Sequence, residues 1–170
     1  MEPLTLRPWA ADDIGLLRAA NTAQMTAQMN GPETEQEIEE RSARYLRLSA
    51  AGEALMYVIE DEHGAPVGTI GCWHVRWRGE PAWETGWFAL PEAQGRGVAS
   101  RALELLVTEL REHRAGRRSL VAFPAVGNVP SNGVCRHSGF EMVGTQIEAF
   151  RGADLEVNEW VLDLEAPVSG

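Results

Sequence analysis

The stretch PEAQGRGVAS (91–100) sets Gly95, Arg96 and Gly97 directly before a segment of helical apolar period. Inside a helix each glycine costs about 1 kcal/mol relative to alanine, so the pair argues for a turn at a helix mouth. A helix N-terminus presents unpaired N–H groups and a partial positive charge. Glycines ahead of it remove side chains, so an anion can approach the backbone closely, and Arg96 adds a full charge. Residues 94–100 therefore read as a cradle for a phosphate-like anion. Two familiar phosphate loops do not fit. A Walker loop needs GxxxxGK[ST], and the chain has no lysine: all 15 of its Lys+Arg residues are arginine. The dinucleotide fingerprint GxGxxG needs a third glycine where Ser100 stands, and no acid closes the following strand at LVAFPA. The plain alternative is that Gly95 and Gly97 only make a tight turn.

The elements that must hold this turn can be read along the chain. LTLRP (4–8) alternates as a short strand. Asp12 and Asp13 suit the start of a first helix, and TAQMTAQMNGP (22–32) fits either helix or loop. Residues 33–52 form a second helix, with acids early, arginines late and an apolar stripe of Ile38, Tyr45 and Leu48. Its acidic run reads as a solvated face. ALMYVIE, APVGTIGCWHVRW and RGEPAWETGWFALPE give three successive antiparallel strands. After the glycine turn comes a long helix with a stripe of Ala99, Ala102, Leu103, Leu106, Val107 and Leu110, ended by Gly116. RRSLVAFPA is a buried strand, and a short helix follows Asn128, with Pro130 in its first turn. FEMVGTQIEAF and ADLEVNEWVLDL make a final hairpin. The predicted class is α/β (α+β): a mixed, mostly antiparallel sheet of about seven strands, one β-α-β crossover, and helices on both faces.

Composition bounds the function. At 170 residues the chain is long enough for one domain, predicted over 1–165, with a disordered tail at 166–170. No apolar run approaches the roughly 20 residues that span a membrane. No signal peptide is visible at the N-terminus, which predicts a cytoplasmic location. A formal net charge of −10 argues against nucleic-acid binding and suits a cationic partner. Cys72 and Cys135 form no CxxC, and the four histidines show no zinc-like spacing, so no metal is expected.

The order of motifs is more specific. QGRGVA fits Q/R-x-x-G-x-G/A through Gln94, Gly97 and Ala99. It follows WETGWFALPE and precedes a helix, a strand and N-x-x-S-x-x-x-C-x-x-x-G-F, from Asn128 to Phe140. In this the chain resembles the GNAT superfamily of N-acetyltransferases over nearly its whole length, and within it the branch of ribosomal-protein N-terminal acetyltransferases. The resemblance implies acetyl-CoA as co-substrate and no metal. It implies that backbone N–H groups of Gly95, Arg96, Gly97, Val98, Ala99 and Ser100, with Gln94 beside them, hold the pyrophosphate. It also implies that Phe88, Ala89 and Leu90 pair with the pantetheine arm like an added strand, and that Asn128 and Ser131 lie near the cofactor where two strands splay. Homodimers are common in the family.

Acetyl transfer to an amine needs the amine proton removed, the oxyanion held and the thiolate released. Neutralising a lysine-like amine (pKa ~10.4) at pH 7 costs roughly 4.6 kcal/mol, against about 1.4 kcal/mol for an α-amine of pKa ~8. A base therefore matters most for a side-chain amine. The resemblance points to Glu84 as that base, acting through water. Strand alternation puts it on the face of Gly86 and Phe88, opposite Trp83, Thr85 and Trp87. The alternatives are a solvated residue or an ion pair with Arg76 or Arg78. A backbone N–H near Phe88 or Ala89 would serve the oxyanion. Many family members carry a tyrosine where this chain has Cys135, so Ser131 becomes the candidate acid or hydrogen-bonding partner of the sulfur. Cys135 reads as a core residue and His137 as a surface one. The tryptophans read as core, or else as an acceptor wall, and Met25 and Met29 border the acceptor side or fill the core. Two functions stay open: acetylation of a primary amine (a protein or peptide N-terminus, or a small molecule) by direct attack on the thioester, and a non-catalytic acyl-CoA-binding module.

Overall fold

The computed structural model describes residues 3–166. Most of the expected tail, 167–170, lies outside the described residues. Seven strands form one sheet: β1 (Thr5–Pro8), β2 (Ala54–Glu60), β3 (Pro66–Trp77), β4 (Glu80–Ala89), β5 (Ser119–Ala122), β6 (Glu141–Phe150) and β7 (Ala153–Asp163). Their spatial order is β1-β2-β3-β4-β5-β7-β6. Every neighbouring pair is antiparallel except β4 and β5, which run parallel. That pair is joined through α3 (Val98–Glu112), the single crossover. α1 (Ile14–Ala20) and α2 (Glu35–Ala50) cover one face, and α3 and α4 (Val129–His137) cover the other.

The apolar stripes decide these faces. Ala102, Leu103, Leu106 and Leu110 of α3 are fully buried against Ile59, Ile70, Cys72 and Leu120. Each buried leucine stabilises the fold by about 1.5–3 kcal/mol. On the other side Leu16, Leu17 and Ile38 meet Ala54, Met56 and Val58, and Tyr45 and Leu48 complete the α2 stripe. The 22–32 segment contains only a short 3-10 turn, Ala27–Met29.

The acidic run opening α2 is not simply solvated. Glu33 pairs with Arg41 at 2.7 Å, Glu35 with Arg18, and Glu37 with Arg151 at 2.9 Å. Thr34 and Glu37 also form a reciprocal capping box. Arg41 lies on α2 itself, but Arg18 and Arg151 come from α1 and the β6–β7 turn, so those two pairings depend on tertiary neighbours.

One irregularity shapes the site. β5 accompanies β4 only from Ala82 to Glu84, while β4 continues to Ala89. The sheet therefore opens between the end of β4 and the segment after β5. Asn132 fixes the far side of this opening. Its Nδ2 donates to the Ala125 and Asn128 carbonyls at 3.0 and 2.8 Å. Its Oδ1 accepts from Asn158 and Trp160 of β7, both at 2.9 Å. Asn132 thus joins the loop after β5, the start of α4 and β7 in one buried node.

Candidate active site

The glycine turn takes the form its sequence predicts. Gly95 and Gly97 have φ of +78° and +75°, a backbone conformation that side-chain-bearing residues rarely adopt. Gly97 is the N-cap of α3 and supplies no side-chain cap. The first intrahelical bond runs from the Arg101 N–H to the Gly97 carbonyl at 3.0 Å, so the N–H groups of Val98, Ala99 and Ser100 precede the ladder. A Cβ at either glycine would find nothing within 4 Å, so the approach is open. Arg96 stands exposed beside it, and Val98 points into the core. These are the requirements of an anion cradle.

The β4 edge leading to this turn differs from the expectation by one residue. The Leu90 N–H donates to the Val67 carbonyl at 2.8 Å, and Ala89 stands opposite Gly68. Alternation along an antiparallel ladder then directs the polar groups of Leu90, Phe88, Gly86 and Glu84 toward β3. The intervening residues face the opening. Past the end of β5, these are the Trp87 N–H and carbonyl and the Ala89 N–H. The Ala89 carbonyl accepts from Gln94 Nε2 at 3.0 Å. Trp87 and Ala89, not Phe88 and Leu90, therefore offer the edge to an added strand. Gln94, beside the cradle, braces that edge.

Glu84 lies on the α1–α2 face, opposite Trp73 in the β3–β4 register. It makes no ion pair with Arg76 or Arg78. Arg76 donates to the Gly79 carbonyl, and Arg78 to Glu159 at 3.1 Å. Glu84 lines a cavity of about 370 Å³ together with Phe123, Gln146, Glu148, Glu159 and the β3–β4 hairpin residues 75–78. Burial pushes its carboxyl up to about 7, and the nearby charge of Glu148 adds to the effect. A group with that pKa is half ionised near neutral pH, where a general base works best.

The wall of this cavity is built by contacts between distant strands. Glu159 accepts from Trp77 Nε1 at 2.6 Å and from Arg78, whose guanidinium stacks 4.7 Å from the Trp77 ring. Gly144 makes room for that carboxylate, since a Cβ there would lie 2.9 Å from Glu159 Oε1. Trp77 is thus the tryptophan that borders the cavity, whereas Trp83 belongs to the core.

Comparisons with known proteins bear on the family and the fold. Residues 3–141 match the family model described as "Acetyltransferase (GNAT) domain". The chain belongs to the GNAT acetyltransferase family. A structure of the RimL ribosomal L7/L12 α-N-protein acetyltransferase in complex with coenzyme A superposes with a TM-score of 0.79, at 23% identity over 96% of each chain. Spermidine N-acetyltransferase from Vibrio cholerae, in complex with CoA and spermine, has a TM-score of 0.77, at 18% identity over 95% of each chain. A putative acetyltransferase from Salmonella typhimurium with acetyl-CoA has a TM-score of 0.76, at 22% identity over 98% of this chain and 96% of that one. No curated protein sequence matches significantly.

Within this GNAT domain the remaining candidates take distinct places. Asn128 caps α4, its Oδ1 accepting from the Ser131 N–H at 3.2 Å. Ser131 therefore sits in the first turn of α4 and does not line the cavity that holds Glu84. Cys135 is wholly buried and its thiol is pushed up to about 12 by burial; Cys72 is likewise free and buried. Both belong to the core, and His137 is exposed. The two tyrosines are engaged elsewhere: Tyr45 stacks edge-on to Trp9, and the Tyr57 hydroxyl donates to Glu109 at 2.6 Å. Among the described residues no cluster of His, Cys, Asp and Glu has the makings of a metal site, and no helix is long and apolar enough to cross a membrane.

Proposed function

We propose that this GNAT protein is an acetyl-CoA-dependent N-acetyltransferase, one domain over residues 1–165, acting on a primary amine by direct attack on the thioester. The acceptor is a protein or peptide N-terminus or a small amine. One observation carries the reading: an unpaired, half-buried carboxyl with a pKa near 7 lines a cavity beside the free β4 edge, and that edge runs into an open anion cradle.

Each part has a task. The N–H groups at the start of α3, with Arg96, bind the pyrophosphate. The Ala89 N–H and the Trp87 carbonyl hold the pantetheine arm as an added strand, and the Trp87 N–H, farther from the cradle and nearer Glu84, takes the thioester oxygen. Glu84 takes the amine proton, directly or through water, as the nitrogen bonds to the acyl carbon. The C–S bond then breaks, and the leaving sulfur collects a proton at the α4 end of the opening, where Ser131 supplies a hydroxyl. The Glu148 carboxylate in the same cavity favours a cationic amine beside Glu84.

Calorimetric titration tests the cradle. Acetyl-CoA should bind at least about tenfold more tightly than S-acetyl-pantetheine, which lacks the pyrophosphate, because charge-assisted contacts are lost. Equal affinities would remove the cradle from the account. Thiol release with a panel of benzylamine, 1,4-diaminobutane and tetrapeptides beginning in serine or alanine tests the transfer.

A further inference from the structure

A second cavity, of about 310 Å³, is lined by His74, Val75 and Arg76 of β3, Pro81 of β4, and Arg117 just before β5. Strand alternation puts His74 and Arg76 on the side of Trp83, the α3 face, opposite Trp73 and Glu84. The length of α3, 15 residues or about 22 Å, separates this place from the glycine turn. Every titratable side chain that lines the cavity is basic, a local reversal of sign in a chain of net charge −10.

The polar groups here are incompletely paired. Arg117 Nη1 donates to the Val75 and Ala82 carbonyls, both at 3.1 Å, which clamps the guanidinium across β3 and β4. Arg117 Nε is buried without a partner, and so is His74 Nε2. Among the described residues these are the two buried side-chain polar atoms that lack a hydrogen bond, and both belong to this one cavity. A buried donor left unpaired is costly, more so on a charged group, and calls for a partner. Arg76, on the exposed hairpin, engages Nη2 with the Gly79 carbonyl at 2.7 Å. The His74 ring is held by packing, 4.5 Å from the Trp83 ring. Burial, then the Arg117 charge, keep its imidazole below the ordinary pKa, while Glu53 before β2 pulls the other way.

We propose that this cavity binds a small oxyanion of double charge, a phosphate monoester or free phosphate, held by Arg117 and Arg76 with His74 as a third donor. Arg117 keeps one side of its fork, Nε with Nη2, for the ligand, and a planar pair of N–H groups suits two oxygens of a phosphate. Two guanidinium groups match a dianion in charge, and the anion in turn favours a protonated His74. The proposal is independent of the acetyl-transfer reading.

The test uses the full chain and sulfate, whose double charge does not change near neutral pH. The glycine turn also suits anions, so the readout is local: the His74 imidazole signals in NMR, assigned by their loss in His74→Gln. At an ionic strength held constant with chloride, sulfate should shift these signals saturably and raise the His74 titration midpoint by about one pH unit. Arg117→Gln should weaken the response by at least about tenfold. Because Arg117 also ties β3 to β4, Arg76→Gln is the second variant, with a response about fivefold weaker and Tm kept. Glycerol 3-phosphate and inorganic phosphate, titrated the same way, tell a monoester from the free ion, and saturation by either supports the site. His74 signals that respond to sulfate no more than to chloride would overturn the proposal. So would equal responses in wild type and Arg76→Gln, which mean an adventitious ion only.

Discussion

Glu84 on β4 and Glu148 on β6 line one cavity although two strands, β5 and β7, separate them in the sheet. β6 slips its register against β7 between Met142 and Gly144, the kind of irregularity that bends a strand, and Glu148 lies beyond it. After burial, the Glu148 charge is the second cause that raises the Glu84 carboxyl to about 7. The expected pH profile follows. The base must be ionised, so kcat/KM should rise with pH along an acid limb centred near 7, and keep rising where the acceptor amine itself loses its proton. Glu148→Gln removes a repelling charge, favours the Glu84 carboxylate and should move that limb to lower pH. The limb should not move with Gln146→Ala. A pH–rate series on the variants checks both.

Glu84 should trade stability for function. Its carboxyl is neutral in both folded and unfolded chains well below the ordinary value of 4.5, so it then has no effect on stability. As pH rises toward 7 the unfolded chain releases its proton while the folded chain retains it, and stability falls. Well above 7 the cost is complete, about 3 kcal/mol. Glu84→Gln should therefore match wild type in Tm at about pH 3.5 and exceed it by roughly 10 °C at about pH 8. Its turnover should fall by about 100-fold or more, with acetyl-CoA affinity kept. Thermal melts at both pH values, beside turnover and calorimetry, give the comparison.

Much of this was legible in the residues. Gly95 and Gly97 needed only local chemistry, because positive φ and an uncapped helix start are decided within a few residues. The α3 stripe and the strand–turn alternation were legible for the same reason. The parity of β4 was not: which of Phe88 and Ala89 faces the opening depends on how β4 pairs with β3, a non-local fact settled by the Leu90–Val67 bond. Glu148 was not legible either, since alternating polar residues on a hairpin look alike until the arm is bent over the cavity. Asn132 stands one residue beyond the conspicuous Ser131, and its four hydrogen bonds join segments that lie apart in sequence. Glu35 and Glu37 of α2 looked solvated because their arginine partners lie on other elements.

Gly97 separates conformation from binding. Gly97→Ala meets open space, so its effect is backbone strain of about 1–2 kcal/mol, a Tm lower by roughly 3–6 °C, with only a modest loss of acetyl-CoA affinity. Gly97→Glu adds a negative side chain at the helix mouth and should weaken acetyl-CoA binding by about 100-fold. Calorimetry on the pair distinguishes a cradle from a turn.

Cys135 and Ser131 divide structure from chemistry at α4. Cys135 is wholly buried with a thiol pushed up to about 12, so the native protein should resist alkylation there. Cys135→Ala should destabilise by about 1 kcal/mol and leave kcat within about twofold. Ser131→Ala should lower kcat by about tenfold without changing Tm by more than a degree or two. Native-state labelling, melts and turnover of the two variants check this division.

The most direct test of the central claim follows both products of acetyl-CoA cleavage as amine is added: thiol by colour and acetyl amide by mass. Thiol release that depends on the amine, with one amide formed per thiol and both lost in Glu84→Gln, is the expected result. Acetyl-CoA that binds tightly yet releases no thiol with any amine of the panel would contradict it and favour an acyl-CoA-binding module.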